Sequence, residues 1–215
     1  MIDYNKYWNS RISKKYISVM PRHNEILKII KNHKKTGKVL DLGCGEGHIL
    51  NNLEEFDRYG CDITQKPFKY LDKNIKKKVC DLEKDIPYEQ LFDVIICSET
   101  LEHIKNPDNI IEYISKHIKP KGLILITIPN YKNVKDKGGD STHLNGWKIS
   151  QFTKLLDEKN IEVELHYPTY FKWRFLSTAR ISFITSILNL IKSDFFYDWI
   201  GEQILFICFP KIKEI

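Results

Sequence analysis

What this 215-residue sequence lacks narrows its class before any motif is considered. None of its five cysteines, Cys44, Cys61, Cys80, Cys97 and Cys208, stands in a C-x-x-C pair, which removes the common thiol-redox and zinc spacings. Each lies in or at the end of an apolar segment, so they read as small buried residues of a reducing compartment. No apolar run is long enough to span a bilayer. Met1 to Ser10 is polar and aromatic, where a secretory signal would need an apolar core, and the expected location is the cytoplasm. No block of like charge forms a basic tail, and there is no internal repeat or low-complexity linker. The net charge of +6 comes mainly from dispersed lysines and favours anionic partners only weakly.

What remains is a chain with 42% hydrophobic residues, enough for a full core, and a length that suits one α/β domain over residues 1–215. Its most informative run is Lys38-Val39-Leu40-Asp41-Leu42-Gly43-Cys44-Gly45-Glu46-Gly47-His48-Ile49-Leu50. Val39, Leu40 and Leu42 read as a buried strand, followed by a glycine turn. Glu46 to Glu54 reads as a helix whose first N–H groups point into that turn. The spacing is G-x-G-x-G rather than the G-x-G-x-x-G of a dinucleotide site, and an acid precedes the first glycine. Asp41 and Glu46 would repel phosphate, whereas a ligand with an ammonium group would be welcome.

On these residues the chain resembles the class I S-adenosylmethionine (SAM)-dependent methyltransferases, whose first motif has the form hDhGxGxG. The resemblance spans roughly residues 36–159 plus a last strand. It is similar to the small-molecule, glycan and ubiquinone-biosynthesis O-methyltransferases within that class. It implies a Rossmann-like, seven-stranded, mostly parallel sheet with helices on both faces and an antiparallel last strand. The local patterns agree. Pro21 opens a helix that Gly37 ends. Strands are predicted at Tyr59 to Ile63, Val79 to Leu82, Phe92 to Cys97, Leu123 to Ile128, Ile161 to Tyr167 and Gln203 to Phe209. Asn106-Pro107 caps and starts a helix running to Ile118, Lys119 to Gly122 is a turn, and Gln151 to Lys159 is helical.

The resemblance also implies a cofactor site. The loop Gly43, Cys44, Gly45 and Gly47 would pack against the methionine part and ribose of SAM, whose product is S-adenosylhomocysteine (SAH). Asp41 would lie near the ammonium, Asp62 would accept both ribose hydroxyls, and Asp81 and Leu82 would receive adenine. Asp62 also has a rival reading as a turn-forming residue, and Asp81 as a helix cap. Ser98 would lie beside the cofactor in Cys97-Ser98-Glu99-Thr100-Leu101-Glu102-His103. If a short helix starts there, Glu99, Glu102 and His103 share one face. With His143 from the loop after the fifth strand, they would hold Mg²⁺ or Mn²⁺. Alternatively, His103 would act as a general base. His23, His33, His48, His117 and His166 read as surface or structural.

The resulting expectation is O-methylation of a sugar, a glycan precursor or another small hydroxylated metabolite. RNA 2′-O-methylation is the rival within the same chemistry, and a non-catalytic SAM-binding protein is the rival outside it. Nucleic acid is disfavoured, because no basic stripe interleaves with aromatics. A small-molecule, glycan or lipid-linked acceptor, peripheral membrane contact and a homodimer all remain open partners. Two segments fall outside the minimal domain. Residues 1–20 are an aromatic segment read as either a packed helix or a cover on the cofactor site. Residues 170–200 carry an apolar stripe, Ile181, Ile184, Ile187, Leu188 and Ile191, read as a helical cap over the acceptor.

Overall fold

A computed structural model describes residues 4, 8–9, 20–85, 87–130, 142–171 and 201–211. Its centre is a sheet of β1 (Gly37–Leu42), β2 (Phe56–Asp62), β3 (Lys76–Val79), β4 (Phe92–Ser98), β5 (Ile118–Pro129), β6 (Ile161–Phe171) and β7 (Gly201–Pro210). The order across the sheet is β3-β2-β1-β4-β5-β7-β6. Strands β1 to β5 pair in parallel, and β7 runs antiparallel to both of its neighbours. The order reverses between β1 and β4, and in such sheets ligands bind at the carboxyl ends of the strands beside that switch.

Strand alternation sends successive side chains to two different cores. On one face Val39, Val94, Ile96, Leu123, Leu125, Leu205 and Ile207 pack with Ile26, Ile29 and Ile30 of helix α1 (Pro21–His33). On the other face Leu40, Leu42, Ile95, Ile124, Ile126 and Phe206 meet two helices. These are α2 (Pro107–His117), through Ile110, Ile111 and Ile114, and α3 (Ile149–Glu158), through Phe152 and Leu156. Burial on both faces explains why β4 and β5 read as continuous apolar runs. The lysines of β3 sit instead on the edge strand, where charge discourages pairing with another chain. No helix among the described residues is long and apolar enough to cross a membrane.

Several local expectations are corrected. The helix expected over Glu46 to Glu54 is only a 3-10 turn at Leu50–Asn52, because Gly45 and Gly47 hold positive φ angles of 49° and 74° just before it. The third strand ends at Val79, so Asp81 and Leu82 lie beyond it. The turn expected at Lys119 to Gly122 lies inside β5. Phe92 pairs with Ile118 and Val94 with Leu123, so the intervening residues of β5 bulge, with Lys121 at φ 61°. Pro107 starts α2, but Asn106 makes no side-chain cap. Tyr170 and Phe171 belong to β6, and the rest of the expected cap, 172–200, lies outside the described residues.

Candidate active site

A cleft of about 1170 Å³ opens over the carboxyl ends of β1, β2 and β4. Its floor is the glycine loop. Gly43 and Cys44 both donate their N–H groups to the Cys61 carbonyl at 2.9 Å, which ties the loop to β2. The Gly45 N–H donates to Asp62 Oδ2 at 3.0 Å. A Cβ at Gly43 would run into the Thr100 side chain, and Gly43 also holds φ 77°, so residue identity here follows from space and backbone together.

Asp41 and Asp62 end neighbouring strands and are both buried. Burial pushes the Asp41 carboxyl up to about 7, with a further rise from the Asp62 charge. Burial likewise pushes Asp62 up to about 6, opposed by N–H donors from Gly45, Thr64 and Ile63 and by a hydrogen bond from the Trp8 side chain. Two buried acids that titrate near neutral pH and gain charge when a cation or a hydrogen-bond donor arrives suit a site that takes cationic and hydroxylic groups. Trp8 lies against the loop, with ring atoms 3.1 and 3.4 Å from where a Gly45 Cβ would stand. Tyr4 lines the same cleft.

Beyond β2 and β3 Cys80, Asp81, Leu82 and the exposed Ile63 line the cleft. Asp81 is already engaged in its own turn. Its carboxylate accepts the Glu83 N–H at 3.1 Å and pairs with Lys84 at 2.6 Å, and that lysine lowers its pKa. Asp81 thus caps a turn rather than the helix of the rival reading, and it still lines the cleft.

Beyond β4 the backbone departs from a helix. Glu99 takes φ 51°, an uncommon conformation for a non-glycine residue, and the Leu101–His103 turn is 3-10. Glu99, Glu102 and His103 consequently do not share a face. Glu99 turns to Gln203 on β7, whose Nε2 donates to its Oε2 at 2.9 Å, and Arg22 of α1 donates to Gln203 Oε1 at 3.2 Å. Burial raises the Glu99 pKa, against the nearby Arg22 charge. Ser98, on the cleft wall, shares a 2.8 Å hydrogen bond with Thr127. The expected place of Glu99 beside the other acids and histidines is thus corrected.

The other three candidates do converge. One ligand atom each from Glu102, His103 and His143 lies within 4.8 Å of the others, and Glu102 is fully buried. The His103 and His143 rings meet edge to face, 4.8 Å between centroids. His103 Nδ1 lies 3.2 Å from the Thr142 carbonyl, and Nε2 lies 4.0 Å from Glu102 Oε1. Donating Nδ1–H to that carbonyl leaves the Nε2 lone pair for a proton or a cation.

Sequence alone missed several cleft residues. Arg22 and Gln203 carry no motif and meet through folding. His23 and His48, read as surface or structural, line the cleft and stack at 5.2 Å, and His48 Nε2 lies 3.2 Å from Glu46 Oε2. Burial, with the Arg22 and His48 charges, pushes His23 down to about 3, so it stays neutral.

The donor chemistry fits SAM. The Gly43–Gly47 floor leaves room that side chains would fill, the acids at 41 and 62 match an ammonium and ribose hydroxyls, and the apolar Ile63 and Leu82 match a flat base. Two imidazoles and a carboxylate likewise fit a divalent cation.

Comparisons with known proteins agree. The ubiquinone biosynthesis O-methyltransferase of Rickettsia bellii is 30% identical, over 66% of this chain and 70% of that protein. An uncharacterised protein of Methanocaldococcus jannaschii is 31% identical, over 65% and 58%. A SAM-dependent methyltransferase structure from Clostridium acetobutylicum superposes with a TM-score of 0.65 at 12% identity, covering 97% of this chain and 99% of that one. N-methyltransferase NodS of Bradyrhizobium japonicum in complex with SAH gives 0.62 at 16% identity, covering 89% and 86%. The methyltransferase domain family matches residues 12–185. With its glycine-floored cleft at the β1/β4 switch, the chain belongs to that family and is a class I SAM-dependent methyltransferase.

Proposed function

We propose that the protein methylates a hydroxyl oxygen of a small molecule: a sugar, a glycan precursor or another small hydroxylated metabolite. The observation that carries this is the Glu102–His103–His143 cluster, which opens on the same cleft as the glycine loop. A base and carboxylate beside a methyl donor serve a nucleophile that must lose a proton, as a hydroxyl must. The relatives named for ubiquinone biosynthesis O-methylation support oxygen as the acceptor atom and a small molecule as its carrier.

Bound SAM supplies an electrophilic methyl group on sulfonium. The protein has then to align the acceptor oxygen and remove its proton. The proton passes from the acceptor hydroxyl to His103 Nε2. The Thr142 carbonyl, 3.2 Å from Nδ1, orients the ring, and the buried Glu102 carboxyl lies 4.0 Å from Nε2. In the alternative reading Glu102, His103 and His143 would hold Mg²⁺ or Mn²⁺, which would lower the acceptor hydroxyl pKa.

The test is methyl transfer from radiolabelled SAM into fractionated cell extract. Label should enter a small-molecule pool in a product stable to mild base. His103→Gln and His143→Gln should lower turnover by at least tenfold while SAH affinity stays within twofold. Loss of activity in EDTA with recovery on Mg²⁺ or Mn²⁺ supports the cation; full activity in EDTA supports the base. Label entering RNA would overturn the small-molecule acceptor.

A further inference from the structure

His103 and His143 come from different loops, so something must hold the two loops in register. Two residues grip the turn that carries His103. Asn145 donates its backbone N–H to the Glu102 carbonyl at 3.1 Å and its side-chain Nδ2 to the Ile104 carbonyl at 2.5 Å. These are the carbonyls on either side of His103. The Leu144 N–H also donates to the Glu102 carbonyl, at 2.7 Å. Upstream, Thr142 meets His103 Nδ1 with its carbonyl at 3.2 Å and its hydroxyl at 3.1 Å. His143 is therefore suspended between two anchors, both fastened to the turn it faces.

The chemistry of residue 145 is specific. Ile104 caps the 3-10 turn, and the carbonyls at such ends need donors from elsewhere. An amide side chain supplies one. Alanine would not reach, and aspartate would set a carboxylate against a carbonyl oxygen. The backbone bonds to Glu102 could form with any residue, so the Nδ2 bond is the part that depends on asparagine.

We propose that Asn145 is a positioning residue. By clasping the carbonyls of Glu102 and Ile104 it fixes His143 against His103, and so sets the geometry of the acceptor-activating pair. This rests on reading His103 and His143 as that pair. Asn145 itself touches neither the reacting atoms nor the glycine loop.

The experiment follows the ring protons of His103 and His143 by NMR in the full chain. In the wild type a nuclear Overhauser contact should join the two rings, whose centroids lie 4.8 Å apart. In Asn145→Ala that contact should be lost. SAH affinity, measured by calorimetry, should stay within twofold in each variant and shows that the cofactor half is folded. Asn145→Asp, similar in size but without the donor, repeats the test if the alanine variant does not fold. Where the wild type binds Mn²⁺, Asn145→Ala should weaken it by about tenfold or more.

An undiminished contact between the two rings in both Asn145 variants overturns the proposal. So does absence of that contact in the wild type. A wild type that binds no Mn²⁺ and is active in EDTA removes the cation from the proposed function, while the ring contact still decides Asn145.

Discussion

The Trp8 side chain hydrogen-bonds the Asp62 carboxylate, the group on which the ribose hydroxyls of the cofactor would converge. A carboxylate offers about four acceptor positions. Backbone N–H groups of Gly45, Ile63 and Thr64 already draw on Asp62, so the indole competes with ribose for what is left. Trp8→Phe keeps a ring and removes the donor. SAH should then bind about fivefold more tightly, the equivalent of one hydrogen bond worth about 1 kcal/mol. Weaker binding in calorimetric titration would instead make the indole a cover over bound cofactor.

Gly45→Val and Asp62→Ala should each abolish measurable SAH binding while circular dichroism stays unchanged. Valine at φ 49° is strained, and its side chain would project toward Trp8 and the space the cofactor needs. Alanine at 62 removes two charge-assisted hydrogen bonds, about 1.5–3 kcal/mol each. Unchanged affinity in both variants would refute the cofactor placement.

The acids also set a pH signature. Asp41 titrates near 7 in the fold against 3.8 ordinarily, so between about 4 and 7 the folded chain keeps a proton that the unfolded chain has released. Stability without cofactor should fall as pH rises through that window, and Asp41→Asn should flatten the fall in urea titrations. A bound ammonium favours the ionised acid. SAH affinity should therefore rise with pH across about 6 to 7, with proton release visible as a buffer-dependent calorimetric heat.

Glu99 combines a left-handed backbone with a carboxylate that burial disfavours. Glu99→Gly relieves both. The melting temperature should rise by about 2–4 °C, the equivalent of about 1 kcal/mol in a chain of this size. A lowered melting temperature would show that the Gln203 hydrogen bond outweighs the strain.

The architecture was legible because its signals are local and periodic. Val39-Leu40-Asp41-Leu42 before three spaced glycines, and the doubly buried runs of β4 and β5, announce a parallel sheet and its ligand end. The seven-stranded sheet with its antiparallel last strand followed from the family likeness. The candidate site was legible only in part. Asp41, Asp62, Glu102, His103 and His143, picked out by motif and spacing, line one cleft. Glu99 does not share a face with Glu102 and His103, because its i, i+3, i+4 relation to them assumed helical φ at residue 99. Arg22, Gln203 and Asn145 were invisible because their partners are distant in sequence and their contacts are made by tertiary packing. The helix expected from Glu46 failed because the glycines that open the cleft also hold backbone angles no helix can use.

Strand β7 lies between β5 and β6 although it follows both in the chain. A growing polypeptide that has made β1 through β5 already possesses the glycine loop, both cofactor acids and the His103 turn. The outer rim of β5 nevertheless stays unsatisfied until residues 201–210 emerge, and among the described residues β6 has no other strand to join. A chain that has emerged only as far as β5 would present that strand as an open, apolar edge. That stage is where aggregation or chaperone capture competes with completion of the sheet. Inserting the last strand between its two waiting neighbours is a long-range, slow closure.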